Sequence, residues 1–135
     1  MATAQNQLIE RLPRQDRKRL LAACEDIQLV LGSVLSEPGT ATRHVYFPAD
    51  AFISMIAPID GKPALEVGMV GREGMLGAQL ALGVATVPLH AVVQGHGAAW
   101  RIGASAFRSE LARSAALRRL LNRYLYVLMA QLAGS

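Results

Sequence analysis

Cysteine is nearly absent from this chain: Cys24 is the only one in 135 residues. A single thiol excludes an internal disulfide, and it excludes a four-cysteine iron–sulfur or zinc site built by this chain alone. Long hydrophobic runs are missing as well. No apolar stretch reaches the roughly 18 residues a membrane span requires. The N-terminus, MATAQNQLIERLPRQDRKRL, has no apolar core of signal-peptide type. These absences lead us to expect a cytoplasmic location and no membrane partner. Aromatic residues are sparse at 5% and do not interleave with the basic clusters, as a single-strand nucleic-acid binder would require. Lysine is scarce too: two lysines stand against twelve arginines, and the net charge is +4. Arg11, Arg14, Arg17, Lys18 and Arg19 sit near the N-terminus, and Arg108, Arg113, Arg118, Arg119 and Arg123 near the C-terminus. Without a recognition-helix or zinc-finger pattern, both groups read as solvated helix faces.

What is present is apolar and folded. Apolar residues make up 52% and charged residues 18%, which describes a single globular domain with a real core. Leu8, Leu12, Leu20 and Leu21 recur at helical spacing, with Pro13 opening a second short helix over Arg14 to Cys24. From Glu25 the period changes. Ile27–Leu31, Val34–Leu35, Arg43–Phe47, Ala51–Ile59, Ala64–Val70, His90–Gln94 and Ala98–Ile102 read as strands, part of a set of about eight. The strand Arg43–Phe47 should put Val45 and Phe47 on one face, His44 and Tyr46 on the other. Asp60-Gly61 signals a hairpin, and Gly71 to Gly77 is too glycine-rich for regular structure. Ala78–Leu82 is long enough for one helical turn, Ser105–Arg113 for a short helix, and Ser114 suits the N-cap of a long last helix. Many short strands with Gly/Pro turns predict a mainly β fold, a jelly roll or barrel with flanking helices.

That last helix is the most informative segment. LRRLLNRYLYVLMAQLA, residues 117–133, is apolar most of the way round, whereas a helix covering one core needs a stripe on one side only. One side is expected to face its own domain and the other a second copy of the chain, with Leu117, Leu121, Tyr124, Leu125, Leu128 and Leu132 as the dimerisation residues. The expected organisation is a sensor domain over residues 1–116 and the start of a dimerisation helix over 117–135, cut off before any further domain.

Three segments carry a family likeness: HVYFPADAFISMI (44–56), EVGMVGREGMLGAQLALG (66–83) and the helix from Leu117. Together with the N-terminal helices they resemble the cyclic-nucleotide-binding domain, and more narrowly the sensor half of Crp/Fnr-type transcription regulators, over essentially the whole chain. The resemblance implies a β jelly roll, a homodimer, an effector that is a small molecule or nucleotide, and DNA contact only through a winged helix-turn-helix beyond this chain. It also implies a ligand cassette of the form G-E-[LI]-[GA] followed eight residues later by R-[ST]-A. There a helix start meets the cyclic phosphate, an Arg pairs with it and a Glu takes the ribose hydroxyl. With Gly77 on the first glycine, Ala78 stands at the Glu position. Pro88 then stands at the Arg position, Leu89 at the Ser/Thr position and His90 at the Ala position. The glycine turn and the insertion, Gln79 included, remain; the polar contacts do not. Arg72 and Glu73, in Gly71-Arg72-Glu73-Gly74, offer an alternative anion contact or an ordinary surface pair.

Catalytic chemistry finds little footing. His44, His90 and His96 lack the His-x-His spacing of a metal-binding cupin enzyme, so no metal ligands are expected. No serine sits in G-x-S-x-G. Glu66, alone among apolar neighbours, either points outward in strand alternation or lines the roll. The reading is therefore a non-enzymatic effector-sensing and dimerisation domain whose ligand is not cyclic AMP. The alternatives are a ligand-free structural dimerisation module and, less favoured, a cupin-like enzyme.

Overall fold

The computed structural model describes residues 5–60 and 64–134, with only the backbone at Leu132. Two short helices, α1 (Gln7–Glu10) and α2 (Arg14–Ala22), precede the strands. The strands are β1 (Glu25–Leu29), β2 (Val34–Ser36), β3 (His44–Pro48), β4 (Phe52–Ala57), β5 (Leu65–Val70), β6 (His90–Gly95) and β7 (Gly97–Gly103). A 3₁₀ helix, Ala78–Leu82, interrupts them after β5, and α3 (Ala104–Arg113) and α4 (Ala115–Ala133) end the chain. The strands form two antiparallel sheets, ordered β1-β7-β3 and β2-β6-β4-β5. The predicted jelly-roll class with flanking helices is what the structure has, with seven strands among the described residues. β4 and β5 pair as the hairpin signal predicts; Gly61 of that signal lies outside the described residues.

Strand alternation separates two cores. Val45 and Phe47 on β3, with Ile102 on β7, pack outward against Leu8, Ile9, Leu20, Phe107, Leu117 and Leu121 of the helices. Tyr46 on the opposite face of β3 joins Leu29, Ile53, Val70, Val93 and Ala99 from both sheets. β3 is thus buried on both faces. β1 begins two residues earlier than its apolar run suggests and stops at Leu29. There Ser33 N–H donates to Val30 O (3.0 Å) and Gly32, at a φ of 87°, turns the chain, which leaves Val30 and Leu31 exposed.

The helices are fixed by polar side chains at their ends. Asn6 is buried, and its Oδ1 accepts from Leu8 N–H (2.9 Å) and Ile9 N–H (3.2 Å) at the start of α1. Ser114 caps α4 as its position suggests: its Oγ accepts from Leu117 N–H at 3.0 Å and donates to Asp16 at 2.6 Å. Arg118 reaches back to the last carbonyls of α3, donating to Leu111 O (2.6 Å) and Ala112 O (3.1 Å).

Cys24 lies half-buried against the helical core. Burial first, and the Glu110 carboxylate second, push its thiol up to about 12. The thiolate is the reactive form, so a disulfide reagent at pH 8 is expected to label the folded chain far more slowly than the denatured one. A thiol raised in the folded state contributes stability that is intact below its ordinary value of 9.0 and is lost as pH climbs from there toward 12. Equal labelling rates with and without denaturant would contradict this placement.

A candidate effector cleft between the last helix and the roll

α4 does not lie flat on the strands along its whole length. Leu117 and Leu121, 2% and 0% exposed, anchor its first half in the outer core. Both were expected at a dimer interface; within the single chain they are packed into their own domain's core. Tyr124 and Leu125 are half-buried against the same core. Tyr126, Val127, Leu128 and Met129 then emerge, 66%, 49%, 37% and 63% exposed. Of the residues expected to dimerise, Leu128 alone is seen to be exposed, and the side chain of Leu132 lies outside the described residues.

Between α4, β5 and the segment 73–79 the chain leaves a cleft of about 1380 Å³. One wall is α4, with Ala116, Arg119, Leu120, Arg123, Tyr124, Val127 and Gln131 at the i, i+3, i+4 spacing that places side chains above one another, and Leu125 and Leu128 beside them. The opposite wall includes Val67 and Met69 of β5, and the floor includes Met75, Leu76, Gly77 and Ala78. Tyr124 ties wall to floor: its hydroxyl accepts from Met75 N–H at 3.2 Å, and burial raises its phenol above the ordinary range. Gly77 adopts a φ of 104°, and a Cβ there would meet Val45 Cγ2 at 3.0 Å, so this turn needs glycine on conformation and on space.

The candidate effector residues separate into two groups. Glu73, Gly77, Ala78, Gln79 and Leu89 line the cleft. Gln79 Nε2 donates to Thr42 Oγ1 at 2.8 Å, and the Glu73 carboxylate accepts from Gly71 N–H at 3.2 Å. Arg72, Pro88 and His90 are not brought to it. Arg72 is exposed beside the glycine loop, and its carbonyl accepts from Gln7 N–H at 2.8 Å. Pro88 itself is exposed between Val87 and Leu89, which both line the cleft, and the segment is held by Ala85 O and Val87 O, which accept from Thr42 and Gly39 N–H at 2.9 and 3.1 Å. His90 lies opposite Ile56 on the β6–β4 ladder. Glu66 is exposed, and its carboxylate accepts a hydrogen bond from the buried Ser54 hydroxyl.

Sequence reasoning missed the cations of this site. Arg119, Arg123 and Arg11 line the cleft, although their clusters read as solvated faces. The signal was available: Arg119 and Arg123 are four apart and flank the apolar positions 116, 120 and 124 of one helical face. His44 also lines the cleft. Burial first, then Arg101, lowers its pKa from the ordinary 6.5, which disfavours a charge on its ring.

No family model and no curated protein match the chain. Solved structures do. The N-terminal domain of a transcriptional regulator from Streptomyces coelicolor A3(2) is 13% identical, with a TM-score of 0.71, and the match covers 97% of this chain and 92% of that one. The sensor domain of the transcriptional regulator DNR from Pseudomonas aeruginosa is 15% identical, TM-score 0.70, with 95% and 86% covered. The Thermus thermophilus catabolite activator protein is 14% identical, TM-score 0.69, with 93% of this chain and 57% of that one covered, so the chain spans little more than half the length of that relative. At these identities the likeness establishes the fold, that of cyclic-nucleotide-binding domains and the sensor domains of transcriptional regulators.

Proposed function

We propose that this chain is the effector-sensing and dimerisation part of a Crp/Fnr-like transcription regulator, acting in the cytoplasm and contacting DNA only through a further domain. The carrying observation is that one helix does two things. α4 walls the cleft with Ala116, Leu120 and Tyr124, it presents Tyr126 and Met129 to its surroundings, and the exposed Val127 and Leu128 belong to both. An exposed apolar patch of this kind marks an interaction surface, and a second α4 is the partner that matches it. A ligand seated between α4 and the roll would favour one packing of the helix over another, and with it one spacing of the paired domains. The Tyr124–Met75 hydrogen bond gives that coupling a route from the cleft floor to the helix.

The test is self-association. Sedimentation velocity is expected to show a dimer at micromolar concentration, and Leu128→Glu with Met129→Glu to give a folded monomer. A wild-type chain that stays monomeric at high micromolar concentration would sink this reading.

A further inference from the structure

The cleft is unusual in its charge. Arg11, Arg119 and Arg123 line it, and none of them is in an ion pair among the described residues. The one carboxylate at its edge, Glu73, is hydrogen-bonded to Gly71 N–H. Among the described residues the cleft is thus lined by three arginines and one carboxylate. The rest of the wall is apolar and uncovered: Val67 and Met69 are 45% and 49% exposed where they line the cleft, and Leu128 is 37% exposed on the facing helix. A nucleotide would need an acceptor for a ribose hydroxyl, and the cassette position that would supply it is Ala78.

Resting on the reading of this cleft as the effector site, we infer that its ligand is an anionic amphiphile. Its carboxylate or phosphate head would be held by Arg119 and Arg123 from α4, and its hydrocarbon or aromatic body would be laid between β5 and that helix. Guanidinium pairs hold such head groups in charge-assisted, bidentate geometry, and a mostly apolar cleft with a few convergent polar groups is the usual form of a small-molecule site. The cation is thus carried by the helix that faces a second copy, not by the insertion after β5, so head-group binding would act directly on α4.

The intact chain is titrated by calorimetry with decanoate, decyl phosphate, decanol and decyltrimethylammonium, all below their micelle concentrations. Decanoate or decyl phosphate is expected to bind saturably, at least tenfold tighter than decanol, with no binding of the cation. The preferred acid distinguishes a carboxylate head from a phosphate. The exposed pair Arg119→Gln and Arg123→Gln is expected to cost the acids at least tenfold and to leave decanol unchanged. Equal affinity for decanol and the acids, unchanged acid affinity in the double variant, or no saturable binding by any probe would each overturn the inference. Sedimentation separates this from the broader reading: a dimer that ignores all four probes keeps the dimerisation role, and a monomer that binds decanoate keeps the ligand class.

Discussion

Leu121→Ala is expected to lower the free energy of unfolding by about 2–5 kcal/mol, a large share of the roughly 5–15 kcal/mol that holds a domain together. The side chain is fully buried and clusters with Phe107, Leu117, Leu80 and Ile102, so its loss leaves a cavity where α4 meets the outer face of β3 and β7. Leu128→Ala, two turns further along the same helical face and 37% exposed, should cost less than about 1 kcal/mol and weaken self-association instead. Urea denaturation of the two variants, alongside sedimentation, reads both effects. A loss under about 1 kcal/mol for Leu121→Ala, with association impaired, would return Leu121 to an interface and overturn its place in the core.

Cyclic AMP is expected to bind two to four powers of ten more weakly than to a complete cassette. Each charge-assisted contact is worth about 1.5–3 kcal/mol, and two are gone: the carboxylate where Ala78 stands and the guanidinium where Pro88 stands. Tenfold in affinity corresponds to about 1.4 kcal/mol. The structure deepens the loss, because Pro88 is exposed and does not line the cleft, while Ala78 is buried. Calorimetry with cyclic AMP and cyclic GMP measures this directly. A dissociation constant in the low micromolar range would mean that another cation has taken over the phosphate, and the Arg119/Arg123 variant would identify it.

The strands were legible because glycine and proline punctuate them and β-branched residues fill them, and Ser114 was legible as a cap because hydroxyls at that position satisfy orphan amides. The division of labour along α4 was not. An all-round apolar helix says that two sides are covered, and it does not say which half of the helix each partner takes. Leu117 and Leu121 went to the domain's own core because Phe107 and Leu80 are brought beneath them by the strands between. Pro88 and His90 were placed by counting residues onward from Gly77, which assumes that the intervening loop keeps a standard path. Here that loop is hydrogen-bonded to Gly39 and Thr42 and lines the cleft with Val87 and Leu89, leaving Pro88 exposed and His90 outside the lining. The arginines of the cleft were hidden by a sound generalisation, that charged helix faces are solvated; Arg118 caps α3, and Arg119 and Arg123 stay exposed while they line the open cleft.

Asn6 gathers several parts of the fold onto one side chain. Its carbonyl oxygen caps α1, while its amide nitrogen donates to Pro48 O at 2.8 Å and Gly74 O at 2.9 Å, so one side chain, 1% exposed, stitches the first helix to the end of β3 and to the glycine loop below the cleft. Deamidation exchanges that nitrogen for a charged oxygen. The cap would survive, but two donors would become a buried anion facing two carbonyl oxygens, an arrangement that costs several kcal/mol when unpaired. Slow chemical damage at this one atom would therefore loosen the cleft from beneath, with no side chain of the site itself altered.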